Sequence, residues 1–307
     1  MCSYLWNIIT NCIGNKKKRE KEITIHSPKI NKNDIFYITF YINNKILKLY
    51  SFNESYNEGL ILRDVKLNKK IIIKENNIYK ISKKRVDYFN ILKLLYYNNI
   101  ENIIIPYKIY ENINNEYIIE VSKYKKHGDL FNFILNNDLK YYEIYNIIFK
   151  INNIINDLHN IDITHRDLKL ENFIIDYKND VINILLIDFD FANYQYKECD
   201  FKGGTRQYAA PELFEDDIIN NFKSVDIWSF TVILYILLFK EFPWEEATDY
   251  CTLFRLHQNN PYNIIYHIFT LNIPLTHKIL YSNIIKYGFN LNHKHRQNLS
   301  YINSLFI

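Results

Sequence analysis

The segment ITHRDLKLENFII, residues 163–175, constrains this chain more than any other. It sets two acids, three bases and an asparagine between two apolar ends. The preceding YYEIYNIIFKINNIINDLHN carries apolar residues at helical spacing, so the polar segment follows a helix. The following VINILLIDFDF is a short Ile/Leu run that reads as a strand ending at Asp188. Acids and an asparagine at the ends of adjacent elements suit a divalent metal and a polyanion. Asn172 and Asp188 offer hard oxygen ligands of the kind Mg2+ prefers. Asp167 is left to accept a proton from a hydroxyl, with the cation Lys169 close by in sequence.

The segment resembles the catalytic loop of the eukaryotic protein kinase family, matching it at His165, Arg166, Asp167, Leu168 and Asn172. Lys169 is similar to the lysine of the serine/threonine branch. Further motifs follow in the family's order. IDFDF supplies Asp188 as the metal-binding aspartate, and GGTRQYAAPE, residues 203–212, resembles the substrate-facing loop closed by Ala-Pro-Glu. SVDIWSFTVILYILLFKEFPWE resembles the central buried helix of the large lobe, with Asp226 tying down the catalytic loop. LNHKHRQNLSYI carries Arg296 where the family has the buried partner of Glu212. Upstream, YIIEVSKYKKHGDLFNFI is similar to the hinge and the helix after it. One such motif can be a chance match; an ordered set spanning about residues 45–307 is not.

The resemblance implies an α+β, two-lobed fold. A small antiparallel-sheet lobe with one main helix is expected over about residues 36–121, a hinge over 122–126 and a mainly helical lobe over 127–307, after a flexible extension, 1–35. ATP is expected between the lobes, with Mg2+ or, in its place, Mn2+. Phosphoryl transfer needs mainly positioning and charge neutralisation. By resemblance, Asp167 orients a protein hydroxyl, Lys169 neutralises the transferring phosphoryl group, and Asn172 and Asp188 hold the metal. Thr205 is expected to pack against Asp167 and Lys169. The backbone of Lys123, Tyr124 and Lys125 is expected to bond adenine, with the small Ser122 at the back of the pocket and Asp129 placed to meet the ribose or the substrate.

The small lobe departs from the family pattern. In the preferred register, FNESYNEGLILRDVKLNKKIIIKE makes Lys74 the nucleotide lysine and puts Phe52, Glu54 and Asn57 at the glycine positions of the phosphate-covering loop. Gly59 then falls at the position of the adenine-covering valine. The other register takes Lys80, in IYKIS, with Val65 at that valine position. In either register the loop lacks the glycines that let backbone amides approach phosphates. In RVDYFNILKLLYYNNIENI the position of the helix glutamate, whose ion pair orders the active state, is Tyr88. Asp87 is adjacent, but one residue along a helix is a rotation of about 100°. Asp190 replaces the glycine after Asp188-Phe189; it tolerates left-handed backbone, adds a ligand or repels phosphate.

Composition sets outer bounds. The chain has 307 residues, 48% hydrophobic, and a net charge of +4, too weak to argue for nucleic acid. Its bias toward Ile, Asn, Lys and Tyr reads as codon usage rather than as a physical signal. The cysteines at 2, 12, 199 and 251 have no zinc-like spacing, so a reducing cytoplasmic setting is expected. FTVILYILLF is too short to span a bilayer and reads as a core helix. The N-terminal segment has apolar residues followed by a basic cluster, Lys16 to Arg19; this fits weak membrane-surface attachment with Cys2 or Cys12 lipidated, or a solvated tail. The favoured function is a serine/threonine protein kinase acting on protein substrates. The alternative is a pseudokinase, a kinase-shaped binding or allosteric module, favoured by the missing glycines, Tyr88 and Asp190. A small-molecule kinase is disfavoured by the peptide-facing loop. Arg166 calls for an acidic partner on the activation segment. Phe201 stands where a phosphorylated residue is common, so Asp200 is the expected partner. The rivals are phosphorylation at Tyr194, Tyr196 or Thr205, or a merely solvated Asp200.

Overall fold

The computed structural model describes residues 40–42, 45–51, 62–65, 69–74, 77–83, 88–106, 108–112, 117–123, 125, 127–178, 181–194, 204–215, 222–296 and 298–306. For most strand residues before position 124 this extends to the backbone alone. The expected extension 1–35 lies outside the described residues.

The small lobe is built from β1 (Phe40–Ile42), β2 (Lys45–Ser51), β3 (Leu62–Val65), β4 (Lys69–Lys74), β5 (Asn77–Lys83), α1 (Tyr88–Tyr97), β6 (Lys108–Asn112) and β7 (Tyr117–Lys123). Their Ile-rich composition suits a pleated surface. The strands form one antiparallel sheet in the order β1-β2-β6-β7-β5-β4-β3. β7 runs into the hinge, and its neighbour on the side away from β6 is β5. Lys74 pairs with Asn77, while on β5 Ile78 pairs with Ser122 and Lys80 with Glu120. Helix α1 buries Tyr88, Ile91, Leu92 and Leu95, one stripe at helical spacing.

The turn after α1 ties the small lobe to the large one. Ile104 N donates to Leu186 O at 2.8 Å, and Leu186 N donates to Asn102 O at 2.9 Å.

The large lobe begins with α2 (Leu130–Asn136) and α3 (Tyr141–Asn160). Helix α3 buries Ile144, Ile147, Ile148, Ile151, Ile154, Ile155 and Leu158, the stripe that its sequence spacing predicts. Short strands follow: β8 (Ile163–Thr164), β9 (Phe173–Lys178), β10 (Val181–Leu186) and β11 (Asn193–Tyr194). β9 and β10 form a hairpin, and β11 pairs with β8. Next come α4 (Phe222–Phe239), α5 (Thr252–Asn259), α6 (Tyr262–Thr270), α7 (Leu275–Gly288) and α8 (Leu299–Ser304).

Helix α4 is apolar on nearly every side because protein surrounds it. Its 18 residues are long and apolar enough to cross a membrane, yet 78% of that stretch is buried inside the protein. This makes it the core helix expected from FTVILYILLF. Helix α7 lies directly against it: a Cβ at Gly288 would stand 1.8 Å from Thr231 Oγ1. Trp228 of α4 packs with Trp244 and Phe289 at ring separations of 5.4 and 5.0 Å.

Candidate active site

The catalytic loop hangs between β8 and β9 and is pinned from below by α4. Asp226, fully buried, accepts from His165 N at 2.9 Å and Arg166 N at 2.8 Å. His159, near the end of α3, places Nε2 2.8 Å from the same carboxylate. The expected role of Asp226 is met, with His159 as a partner that sequence motifs did not single out. Arg166 takes a left-handed backbone, φ 68°, which costs a non-glycine residue about 1–3 kcal/mol and persists only when surroundings enforce it. The two backbone bonds that Asp226 accepts, from His165 N and Arg166 N, supply that enforcement. The Arg166 guanidinium lies 4.4 Å from the centre of the Phe222 ring at the start of α4. Its expected partner, Asp200, lies outside the described residues, as do Tyr196 and Phe201. Tyr194 is held in β11, opposite Ile163.

Asp167 is buried and is the centre of a small polar cluster. Lys169 Nζ donates to Asp167 Oδ2 at 2.8 Å and to Thr205 Oγ1 at 2.9 Å. Thr205 donates to Asp167 Oδ1 from its backbone N and from its hydroxyl, each at 3.0 Å. Gly204 permits this approach: its φ is 132°, and a Cβ there would stand 3.2 Å from Arg166 O. The expected packing of Thr205 on Asp167 and Lys169 is therefore present.

Asn172 Nδ2 donates to Asp167 O at 2.8 Å, so its side-chain oxygen is the atom left for a cation. Asn172 O accepts from Ile187 N at 2.9 Å, which fixes Asp188 beside the loop. His165 Nε2 lies 3.0 Å from Ile187 O and adds a second tie. Asp188 has a left-handed φ of 66° and its carboxylate accepts from Asp190 N at 3.4 Å. The left-handed residue is thus Asp188, not Asp190. Asp190 sits in the single turn Phe189–Phe191, where a glycine has no conformational task. Among the described residues no group of three His, Cys, Asp or Glu side chains could hold a metal. One carboxylate and one amide oxygen nevertheless fit Mg2+, which keeps several waters and takes its remaining ligands from phosphates.

Toward the hinge, Ser122 is half-buried and opposes Ile78. Lys123 opposes Asn77, and Tyr124 lies outside the described residues. Lys125 Nζ donates to Asp176 Oδ2 on β9 at 2.6 Å, bracing the hinge against the large lobe. Burial works against ionisation of Asp176, but the hydrogen bond and charge of Lys125 prevail and hold its carboxyl below the usual range. Asp129 caps α2: Oδ1 accepts from Asn132 N and Oδ2 from Asn132 Nδ2, both at 2.8 Å. Oδ1 thus caps the helix through Asn132 N, and Oδ2 is engaged by the Asn132 side chain.

The strand order sets the two candidate lysines apart. Lys74 ends β4, which is separated from the hinge strand by β5, whereas Lys80 lies on β5 itself. Asp87 and the loop positions Phe52, Glu54, Asn57 and Gly59 lie outside the described residues. Tyr88 is the first residue of α1, and its hydroxyl donates to the Glu120 carboxylate of β7. Sequence reasoning passed over Glu120. The signal was a lone acid inside the apolar strand YIIEV, and it is 4% exposed.

The segment 204–212, which closes in Ala-Pro-Glu, is anchored at its end. Arg296 grips Glu212 with two bonds, Nη1 to Oε1 at 2.5 Å and Nη2 to Oε2 at 2.8 Å, and its Cζ lies 4.7 Å from the Trp228 ring centre. The expected buried pair, distant in sequence, is present. Arg206 makes a second forked contact with Glu246, at 2.8 and 2.6 Å.

The sequence profile described as the protein kinase domain matches residues 55–302. The chain belongs to the eukaryotic protein kinase family, and its two-lobed fold is that family's fold. It is 33% identical over 185 residues to the serine/threonine-protein kinase SIK1 of Rattus norvegicus, covering 59% of this chain and 22% of that protein. It is 32% identical over 185 residues to the serine/threonine-protein kinase SIK2 of Gallus gallus, covering 59% of this chain and 21% of that one. The matched stretch thus spans about a fifth of these relatives' length. Strands β1 and β2 precede the matched residues and extend the sheet beside β6.

Proposed function

We propose that this protein is an active serine/threonine protein kinase that transfers the γ-phosphoryl group of ATP to a hydroxyl of a protein substrate, in a cytoplasmic setting. The observation that carries this reading is the bridge from Lys169 to both Asp167 and Thr205. It unites the catalytic loop with the substrate-facing loop, and a chain retained only as a docking module has no chemical need for it. Asp167 would accept the hydroxyl proton and orient that oxygen; Lys169 would offset charge on the transferring group. Asn172 and Asp188 would hold Mg2+, or Mn2+, which supplies charge neutralisation at the phosphates. The backbone of residues 123–125 would carry the adenine, with Ser122 behind it.

For the nucleotide lysine we propose Lys80 in place of Lys74. A base held by the hinge would hang beside β7, so a lysine reaching its phosphates belongs on a strand adjoining it; of the two candidates Lys80 is on such a strand, β5, and Lys74, on β4, is not. The register in which Ile78 opposes Ser122 and Lys80 lies two residues further along supports this.

The test is incorporation of labelled phosphate into a generic protein substrate with Mg2+ or Mn2+, beside Asp167→Asn. Loss of a general base costs about 10²–10⁴-fold, so the variant should fall to background. Nucleotide binding without transfer by the wild type would instead support the pseudokinase, which the tyrosine at position 88 favours.

A further inference from the structure

We infer that Glu120, on the hinge strand, is the carboxylate that positions the nucleotide lysine Lys80, taking over from the helix residue whose place Tyr88 holds. The inference rests on the assignment of Lys80 made above. Lys80 and Glu120 are Cα partners in the β5–β7 ladder, and directly opposed residues of an antiparallel pair share one face of the sheet. Helix α1 lies over that same face, because the Tyr88 hydroxyl donates to the Glu120 carboxylate. Both residues are 4% exposed. A carboxylate so enclosed is costly unless it is hydrogen-bonded and its charge balanced. Tyr88 supplies a hydrogen bond and no charge. The cation on the same face at the opposed position is Lys80.

The arrangement changes what the helix does. Where the glutamate sits on the helix, the ion pair breaks when the helix swings away. Here acid and lysine belong to adjacent strands of one sheet, so the pair survives a displacement of α1, and the helix is docked by a neutral hydroxyl. Glu120 is a positioning residue: it holds Lys80 charged and in place, and has no part in the transfer itself.

The experiment measures acylation rates of individual lysines by mass spectrometry on the full chain, for wild type, Glu120→Gln and Tyr88→Glu/Glu120→Gln. Michaelis constants for MgATP are measured in parallel. Glutamine is isosteric and still accepts the Tyr88 hydrogen bond. Loss of the ion pair lowers the lysine pKa, and each unit raises the reactive neutral amine about tenfold. Lys80 alone should therefore react about tenfold faster in Glu120→Gln, with a raised Michaelis constant. The double variant, which returns the acid to the helix, should restore slow acylation. An unchanged Lys80 rate, or acceleration at Lys74 instead, overturns the inference. If Glu120→Gln fails to fold, the wild-type pH profile decides: Lys80 titrating above the exposed lysines upholds the pair, and Lys80 titrating with or below them overturns it. A wild type that transfers no phosphate while Lys80 behaves as expected refutes the activity and leaves the ion pair standing.

Discussion

Glu212 and Arg296 lie 84 positions apart and meet in a buried, forked ion pair. The guanidinium also donates to Asn290 O at 2.8 Å and Ser224 O at 3.2 Å, and it stacks on Trp228. It is thereby fixed before the carboxylate is counted, so removing Glu212 strands a positive charge that cannot swing into water. Breaking one side of a buried pair typically costs about 3–5 kcal/mol. Glu212→Ala should lower the unfolding midpoint in urea well beyond Glu215→Ala, which alters an exposed acid three residues on. Equal midpoints would mean that the pair contributes nothing to stability. The same logic of charge plus enforced geometry applies at Arg166, whose left-handed backbone is held by Asp226.

Among the elements, α4 and α7 show how closely two helices approach when one offers a glycine. Gly288 ends α7 against Thr231, whose hydroxyl bonds back to Ile227 O at 2.8 Å. The Cβ of an alanine at 288 would stand 1.8 Å from Oγ1, 2.8 Å from Cβ and 3.0 Å from Cγ2 of Thr231. Overpacking of this kind costs about 1–3 kcal/mol. Gly288→Ala is expected to lower the melting temperature. Thr231→Ala should restore part of the loss in the double variant, since it removes two of those three contacts. A double variant no more stable than Gly288→Ala alone would place the strain elsewhere.

At the scale of the whole molecule, stability should depend on pH through His257. It is 5% exposed between Trp244, Phe254 and Phe289, with Nε2 3.3 Å from Phe289 O and no partner on Nδ1 among the described residues. Burial holds the imidazole below its ordinary 6.5, outweighing the hydrogen bond to Phe289 that favours the charged form. The unfolded chain therefore binds a proton first as pH falls. The stability this residue contributes is complete above pH 6.5 and is lost as pH drops from there to the depressed folded value. The loss approaches about 1.4 kcal/mol per pH unit within that window. Unfolding midpoints followed from pH 8 to 5 should fall for the wild type and fall less for His257→Gln. Parallel curves would exclude His257 as the cause.

Much of the large lobe was legible in the sequence because its signals are local. The helical stripe of α3, the apolar helix α4 and the polar run from His165 to Asn172 are read within one turn or one loop, and each residue type is tied to its chemistry. Even the long-range pair Glu212–Arg296 was reachable, since each member sits in its own recognisable segment. The small lobe is different. IIIK and IYKI are both strand-like, both end or centre on a lysine, and share the same period of two, so nothing within either says which lies beside the hinge. Pairing between strands decides that, and it set β5 rather than β4 against β7. The same pairing put Glu120 opposite Lys80, and the docking of α1 brought Tyr88 to Glu120. Composition and spacing fix which residues are able to carry charge and hydrogen bonds. Only the folded sheet decides which of them share a face, because that depends on the register between segments distant in the chain.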